Sequence, residues 1–142
     1  MVVSTFVYDN ANVSYSVTVY NMQSVSSNAV AKAMSYSTDE QFTGKYWING
    51  KKIYTKTLDC GSLPNSSQKY IDIGIVNLDT IIKHEGISYN AHYALSIPYV
   101  SGSSSYNVEV FYNDGYLRII TSINRSDFTN TYITIEYTKT TD

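Results

Sequence analysis

The chain has 142 residues and a formal net charge of −2, and only 15% of its residues are charged, against about 25% in ordinary soluble domains. Neutral polar residues fill the gap, 19 Ser, 14 Thr and 12 Asn, alongside 15 Tyr against 4 Phe and 1 Trp. There is no Lys/Arg cluster for phosphate recognition, no run of about 18 apolar residues to cross a membrane, and the single Cys60 rules out an internal disulfide or a Cys-rich zinc site. Nucleic acid and membrane insertion are therefore not expected, and the opening MVVSTFVYDN lacks the basic-then-apolar pattern of a secretory leader.

In chain order, Val13 to Tyr20 alternates strictly and predicts a half-buried strand. Ser24 to Met34 then carries the one helical pattern. Ser26 can cap it, Val25 and Val30 have the spacing of a hydrophobic staple, and Val30, Ala33 and Met34 share a face. Such a helix is too short to persist alone in water. It must pack on its own domain or on copies of itself. The polar joint Ser35 to Glu40 follows, and the chain divides here into residues 1–36 and 37–142.

From Phe42 onward the pattern is β. Phe42 to Ile48 and Lys51 to Leu58 flank Asn49-Gly50, a hairpin signal in which both turn residues are expected at positive φ. Residues 60–67 form a turn-rich loop. In Tyr70 to Ile75, Ile71, Ile73 and Ile75 fall on one core face. Leu78 to His84 is an apolar run closed by Glu85-Gly86, and Ala91 to Ile97 stops before Pro98. Asn107 to Tyr112 pairs with Tyr116 to Thr121 across Asn113-Asp114-Gly115. Tyr132 to Thr138 sets Ile133, Ile135 and Tyr137 against Thr134, Glu136 and Thr138. Seven or eight short strands with regular turns predict an all-β fold, an antiparallel β-sandwich of jelly-roll-like kind, preceded by a short strand and a short helix.

Catalytic patterns are missing. The two histidines, His84 and His92, have no activated Ser or Cys beside them in sequence, and no nucleophile elbow occurs. Cys60 reads as a tucked-in loop thiol. His84 and Glu85 are adjacent and on a strand would point to opposite faces, so they could not share one ion. Acids are spread along the chain without a legible pair for glycoside hydrolysis, and no phosphate cradle is present. No enzyme, no metal and no cofactor are expected. The sequons at Asn12, Asn65 and Asn124 match chance for so Ser/Thr-rich a chain and carry no argument.

Two stretches are more specific. Val25-Ser26-Ser27-Asn28-Ala29-Val30 resembles the V-S-S-x-A-V helix element of tailed-bacteriophage and prophage fibre proteins of gut bacteria. The run from Ser37-Thr38-Asp39-Glu40 through Trp47-Ile48-Asn49-Gly50-Lys51-Lys52-Ile53-Tyr54 to Asn77-Leu78-Asp79 resembles the C-terminal domain of the same tail-fibre or receptor-binding proteins. One departure is that Asp72-Ile73-Gly74 stands where a His-Gly pair is expected. The resemblance covers about residues 24–83.

What the resemblance implies is a homotrimeric fibre tip on the virion, extracellular after release, that binds a glycan or protein receptor on the bacterial surface without chemistry. Its trimer interface would use Val25, Val30, Ala33 and Met34. Trp47 and Tyr54 lie inside the motif and read as framework. Adaptable contacts are expected in the poorly matching second half, at Tyr89, Asn90, His92, Ser103, Tyr106, Tyr112, Asn113 and Tyr116 near loop and hairpin tips. A purely structural fibre cap and a bacterial carbohydrate-binding module are the rival readings, although no D-x-D-type run offers calcium ligands.

Overall fold

The computed structural model describes the backbone of residues 3–10 and 13–20, and residues 35–142 with their side chains. The chain separates into two units, Met1–Lys32 and Ala33–Asp142. In the first, β1 (Val3–Asn10) and β2 (Val13–Tyr20) form an antiparallel pair, from Val3 opposite Tyr20 to Asn10 opposite Val13. Only β2 was expected. β1 reads VSTFVYDN, in which neither alternate set is wholly apolar, so period-two alternation does not reveal it. The predicted helix over 24–34, and with it Val25, Val30, Ala33 and Met34, lies outside the described residues.

The second unit is all-β and antiparallel. Its strands are β3 (Gln41–Tyr46), β4 (Lys52–Asp59), β5 (Gln68–Asp72), β6 (Leu78–Tyr89), β7 (Ala94–Ile97), β8 (Val108–Asn113), β9 (Tyr116–Thr121) and β10 (Asn130–Lys139). One sheet has the order β3-β4-β10-β6-β7 and the other β5-β9-β8. Inward residues of both sheets join one hydrophobic core. Leu58, Ile97, Ile133, Ile135 and Tyr137 come from the larger sheet, and Val108, Val110, Leu117 and Ile119 from the smaller. The expected alternation in β10 holds through Tyr137, with Ile133, Ile135 and Tyr137 all fully buried. Thr138, expected on the outward face, is fully buried too, where the register with β6 shifts. Of the three isoleucines expected on one face, Ile73 is buried, and Ile71 and Ile75 pack against the core partly buried.

Loop segments complete the core. Cys60, Leu63 and Phe128 are buried, and Leu63 N–H donates to Phe128 O at 3.0 Å while Cys60 N–H donates to Thr131 O at 2.8 Å. The Cys60 thiol is a tucked-in group whose pKa burial pushes up to about 12.

Three local expectations change. The Asn49-Gly50 connection is not a two-residue turn. Trp47 N–H donates to Lys51 O and Gly50 N–H to Trp47 O, so Ile48, Asn49 and Gly50 all lie in the loop, and of these only Gly50 has positive φ, at 84°. This is the three-residue hairpin with glycine in the left-handed bulge position. The two-residue turn with both φ positive occurs instead at Asp114 (47°) and Gly115 (87°), between paired Asn113 and Tyr116.

Glu85-Gly86 does not end a strand either. β6 runs on to Tyr89, and Gly86 sits between Ile133 of β10 and Ile97 of β7. A Cβ there would lie 2.1 Å from Tyr132 O and 2.8 Å from Ile133 Cα, so the glycine marks a close backbone approach within the sheet. Finally, the strand expected over 91–97 shortens to Ala94–Ile97. Asn90 Oδ1 accepts from His92 N–H (2.9 Å) and Tyr93 N–H (2.8 Å), an Asx turn that takes those residues out of the ladder.

Candidate functional site

Several titratable groups in the second unit are held in structural pairs. Glu40 accepts from Tyr137 Oη and from Lys139 Nζ, each at 2.6 Å. Burial alone would raise the Glu40 carboxyl, but these donors and the nearby positive charge hold it below the usual carboxylate value. Burial and the same bond raise the Tyr137 phenol. Asp79 accepts from Lys51 Nζ (2.9 Å) and Thr138 Oγ1 (3.0 Å), which lowers its pKa. Tyr54, partly buried against the core, donates to Asp142 Oδ1 at 3.0 Å. Among the described residues no three His, Cys, Asp or Glu side chains converge as metal ligands. His84 pairs with buried Ile135 and Glu85 with Thr134 of the outward row. The two neighbours thus point to opposite faces.

The outward face of the larger sheet holds a concavity. A groove of about 820 Å³ is lined by Thr57, Thr134, Tyr132, Glu85, Ile87 and Ser96, by Gly86 and Ile97, and by the segment Tyr36-Ser37-Thr38 as its wall, with Glu85 beside Thr134 in the same outward row. That volume lies in the range of small-ligand sites. Ser37 O accepts from Thr57 N–H at 2.7 Å, which ties the wall to β4. The lining is mainly aromatic and aliphatic surface with hydroxyls. Thr57 and Thr134 hydroxyls bond each other at 2.9 Å, and Glu85 is the carboxylate, engaged by Lys83 Nζ at 2.5 Å. Tyr36 is 85% exposed, and Tyr132 and Ile87 are partly open. A smaller cavity of about 230 Å³ shares Tyr36, Ser37, Thr57, Glu85 and Thr134 and extends towards Glu136.

The expected contact residues do not gather in one place. Tyr89 continues the groove's aromatic strip, stacked on Tyr132 with ring centres 6.4 Å apart. Asn90 is occupied by its Asx turn and by donating to Asp127 Oδ2 at 3.0 Å. His92 is exposed and edge-on to Tyr93. Ser103 precedes and Tyr106 ends a short 3-10 turn (Ser104–Tyr106), where Tyr106 O accepts from Arg125 at 2.9 Å. Tyr112, Asn113 and Tyr116 belong to the β8–β9 hairpin, where Tyr112 Oη accepts from Gly115 N–H at 3.0 Å.

Sequence reasoning missed Tyr36, Thr57, Ile87, Tyr132 and Thr134, because a groove made by four strands and a crossing segment needs the strand order. Their alternation parity was a signal, since Thr134 and Thr57 stand opposite the core residues of their strands. Comparison of the chain with protein-family models, with curated proteins and with solved structures gives no significant match.

Proposed function

We propose that this chain is a non-enzymatic receptor-binding module at the tip of a homotrimeric phage tail fibre. In this reading residues 37–142 form a jelly-roll-like sandwich that recognises a glycan on the bacterial surface. The sandwich reading draws support from two sheets sharing one core. The phage assignment rests on the resemblance of residues 24–83.

The groove on the larger sheet carries the binding reading. Saccharides offer apolar ring faces and many hydroxyls. The groove offers aromatic surface at Tyr36 and Tyr132, hydroxyls at Thr57, Thr134, Ser37 and Ser96, and little charge. It can hold such a ligand by stacking and neutral hydrogen bonds, and it has no aligned acid–base pair to cleave one.

The test is adsorption of the purified chain to candidate host cells and to arrayed bacterial glycans, comparing wild type with Thr134→Arg and Ile87→Lys. Both variants fill the groove from exposed or half-exposed positions. Binding that falls at least about tenfold supports the reading, and groove-filled variants that bind like wild type refute it. Sedimentation addresses the assembly: a concentration-independent species of 16.0 kDa would rule out the homotrimer.

A further inference from the structure

From the outward face of the smaller sheet we infer a second saccharide site, separate from the groove and selective for uncharged sugars. The cross-strand register lays out three rows there. Tyr70, Arg118 and Phe111 stand side by side on β5, β9 and β8. Asp72, Tyr116 and Asn113 form the next row, and Gln68, Ile120 and Glu109 the row beyond. The partners of these strands at alternate positions, Leu117, Ile119 and Val110, are buried, so the three rows face outward.

Arg118 is held between the two rings of its row. Its guanidinium carbon lies 5.5 Å from the Tyr70 ring centre and 5.3 Å from that of Phe111, and Nη2 donates to Gln68 Oε1. Tyr116 meets Tyr70 edge-on at 6.2 Å. Tyr70, Phe111 and Tyr116 remain 48%, 37% and 45% exposed. An outward sheet face that needed only solubility would carry Thr, Lys and Glu here. This one has three partly exposed aromatic rings on three adjacent strands, with Arg118 between Tyr70 and Phe111 and Tyr116 perpendicular to Tyr70, across two strand spacings of roughly 4.8 Å each. That span suits two consecutive sugar rings of an oligosaccharide, whose apolar C–H faces pack against the exposed ring surface.

The rim sets the ligand class. Glu109, Asn113 and the second oxygen of Asp72 present acceptors to sugar hydroxyls, while Asp72 Oδ1 accepts from Gly74 N–H at 2.8 Å and Gln68 Oε1 from Arg118. Arg118 is the one cation in the three rows, against two carboxylates, and its charge is already engaged by two ring faces and Gln68. An anionic sugar would meet net repulsion, whereas a neutral one finds acceptors and stacking surface together.

The experiment is titration of the 15N-labelled full chain with neutral trisaccharides (maltotriose, mannotriose and chitotriose) and with trigalacturonate, followed by amide shifts. Expected are millimolar shifts at Tyr70, Phe111, Tyr116 and Arg118 with at least one neutral sugar, and about tenfold weaker effects with trigalacturonate. Tyr70→Ala and Tyr116→Ala should each abolish those shifts while the rest of the spectrum stays folded. Glu109→Lys, which removes no ring, should bring trigalacturonate up to the level of the neutral sugars. The inference is overturned by shifts confined to the groove residues, which would leave the groove reading standing. It is equally overturned by equal response to charged and neutral sugars, or by no response on these strands at all.

Discussion

Gly86→Ala is the most discriminating single change in the β-domain. At an ordinary site this substitution stabilises by about 0.4–1 kcal/mol, because it reduces the freedom of the unfolded chain. Gly86 lies on β6 between two paired strands, and the added methyl would sit 2.1 Å from Tyr132 O and 2.8 Å from Ile133 Cα. Both obstacles include backbone of β10, so no side-chain rotation relieves the overlap. The ladder between β6 and β10 must part or shift. Overpacking usually costs about 1–3 kcal/mol, and an overlap this deep with backbone belongs at the upper end, near 3 kcal/mol. For a domain of this size that lowers the melting temperature by roughly 10–15 °C. Gly102→Ala is the matched control, with nothing within 4 Å of its added Cβ, and should stay within about 0.5 kcal/mol of wild type. Urea unfolding followed by circular dichroism reads both. A Gly86→Ala protein within 1 kcal/mol of wild type, on the scale set by that overpacking range, would refute the close approach between β6 and β10.

Three further outcomes follow from polar and titratable groups of the β-domain. Ser88 and Thr131 are fully buried and share a hydroxyl bond of 2.7 Å. Thr131→Val alone should cost about 1–3 kcal/mol, and the Ser88→Ala/Thr131→Val pair should recover most of it in a double-mutant cycle; additive costs would contradict that pairing. Glu40 has a folded-state pKa below its ordinary 4.5, so its contribution is present above that value and is lost as pH falls through the folded pKa. Glu40→Gln should flatten the acid limb of a urea-midpoint profile below about pH 4.5, and an unchanged limb would show that other carboxylates set it. Cys60, buried with its pKa at about 12, should react with a thiol reagent at pH 8 only as fast as the domain unfolds. Rapid labelling in native buffer would contradict its burial.

Strands with one buried face were legible from alternation alone. β9 and β10 stand where the pattern places them, because burial of Leu117, Ile119, Ile133 and Ile135 requires the period of two. Gly86 misled because a glycine in an apolar run signals an end in sequence, while here it admits a neighbouring backbone. The two hairpin turns differ for a similar reason. Asn49-Gly50 and Asp114-Gly115 look alike in composition, and only the pairing of Trp47 with Lys51, against that of Asn113 with Tyr116, assigns their loop lengths. The binding surfaces were less legible still. Tyr116 was expected at a hairpin tip, but Tyr70 and Phe111 join it only when β5 and β8 flank β9, and no local pattern encodes that order.

The placement of β10 also dictates how this domain reaches its folded state. β4 and β6 are not neighbours in the larger sheet, because β10, which follows every other strand in sequence, lies between them. The β3–β4 and β6–β7 pairs can form early from nearby residues. Until β10 inserts, each presents a bare row of amide and carbonyl groups along an edge that will later be central. Assembly is therefore governed by a late, long-range closure, of the kind that slows β-proteins to milliseconds or longer. During that interval two adhesive edges are open to other chains, so crowded synthesis favours capture by a second copy before the sheet closes.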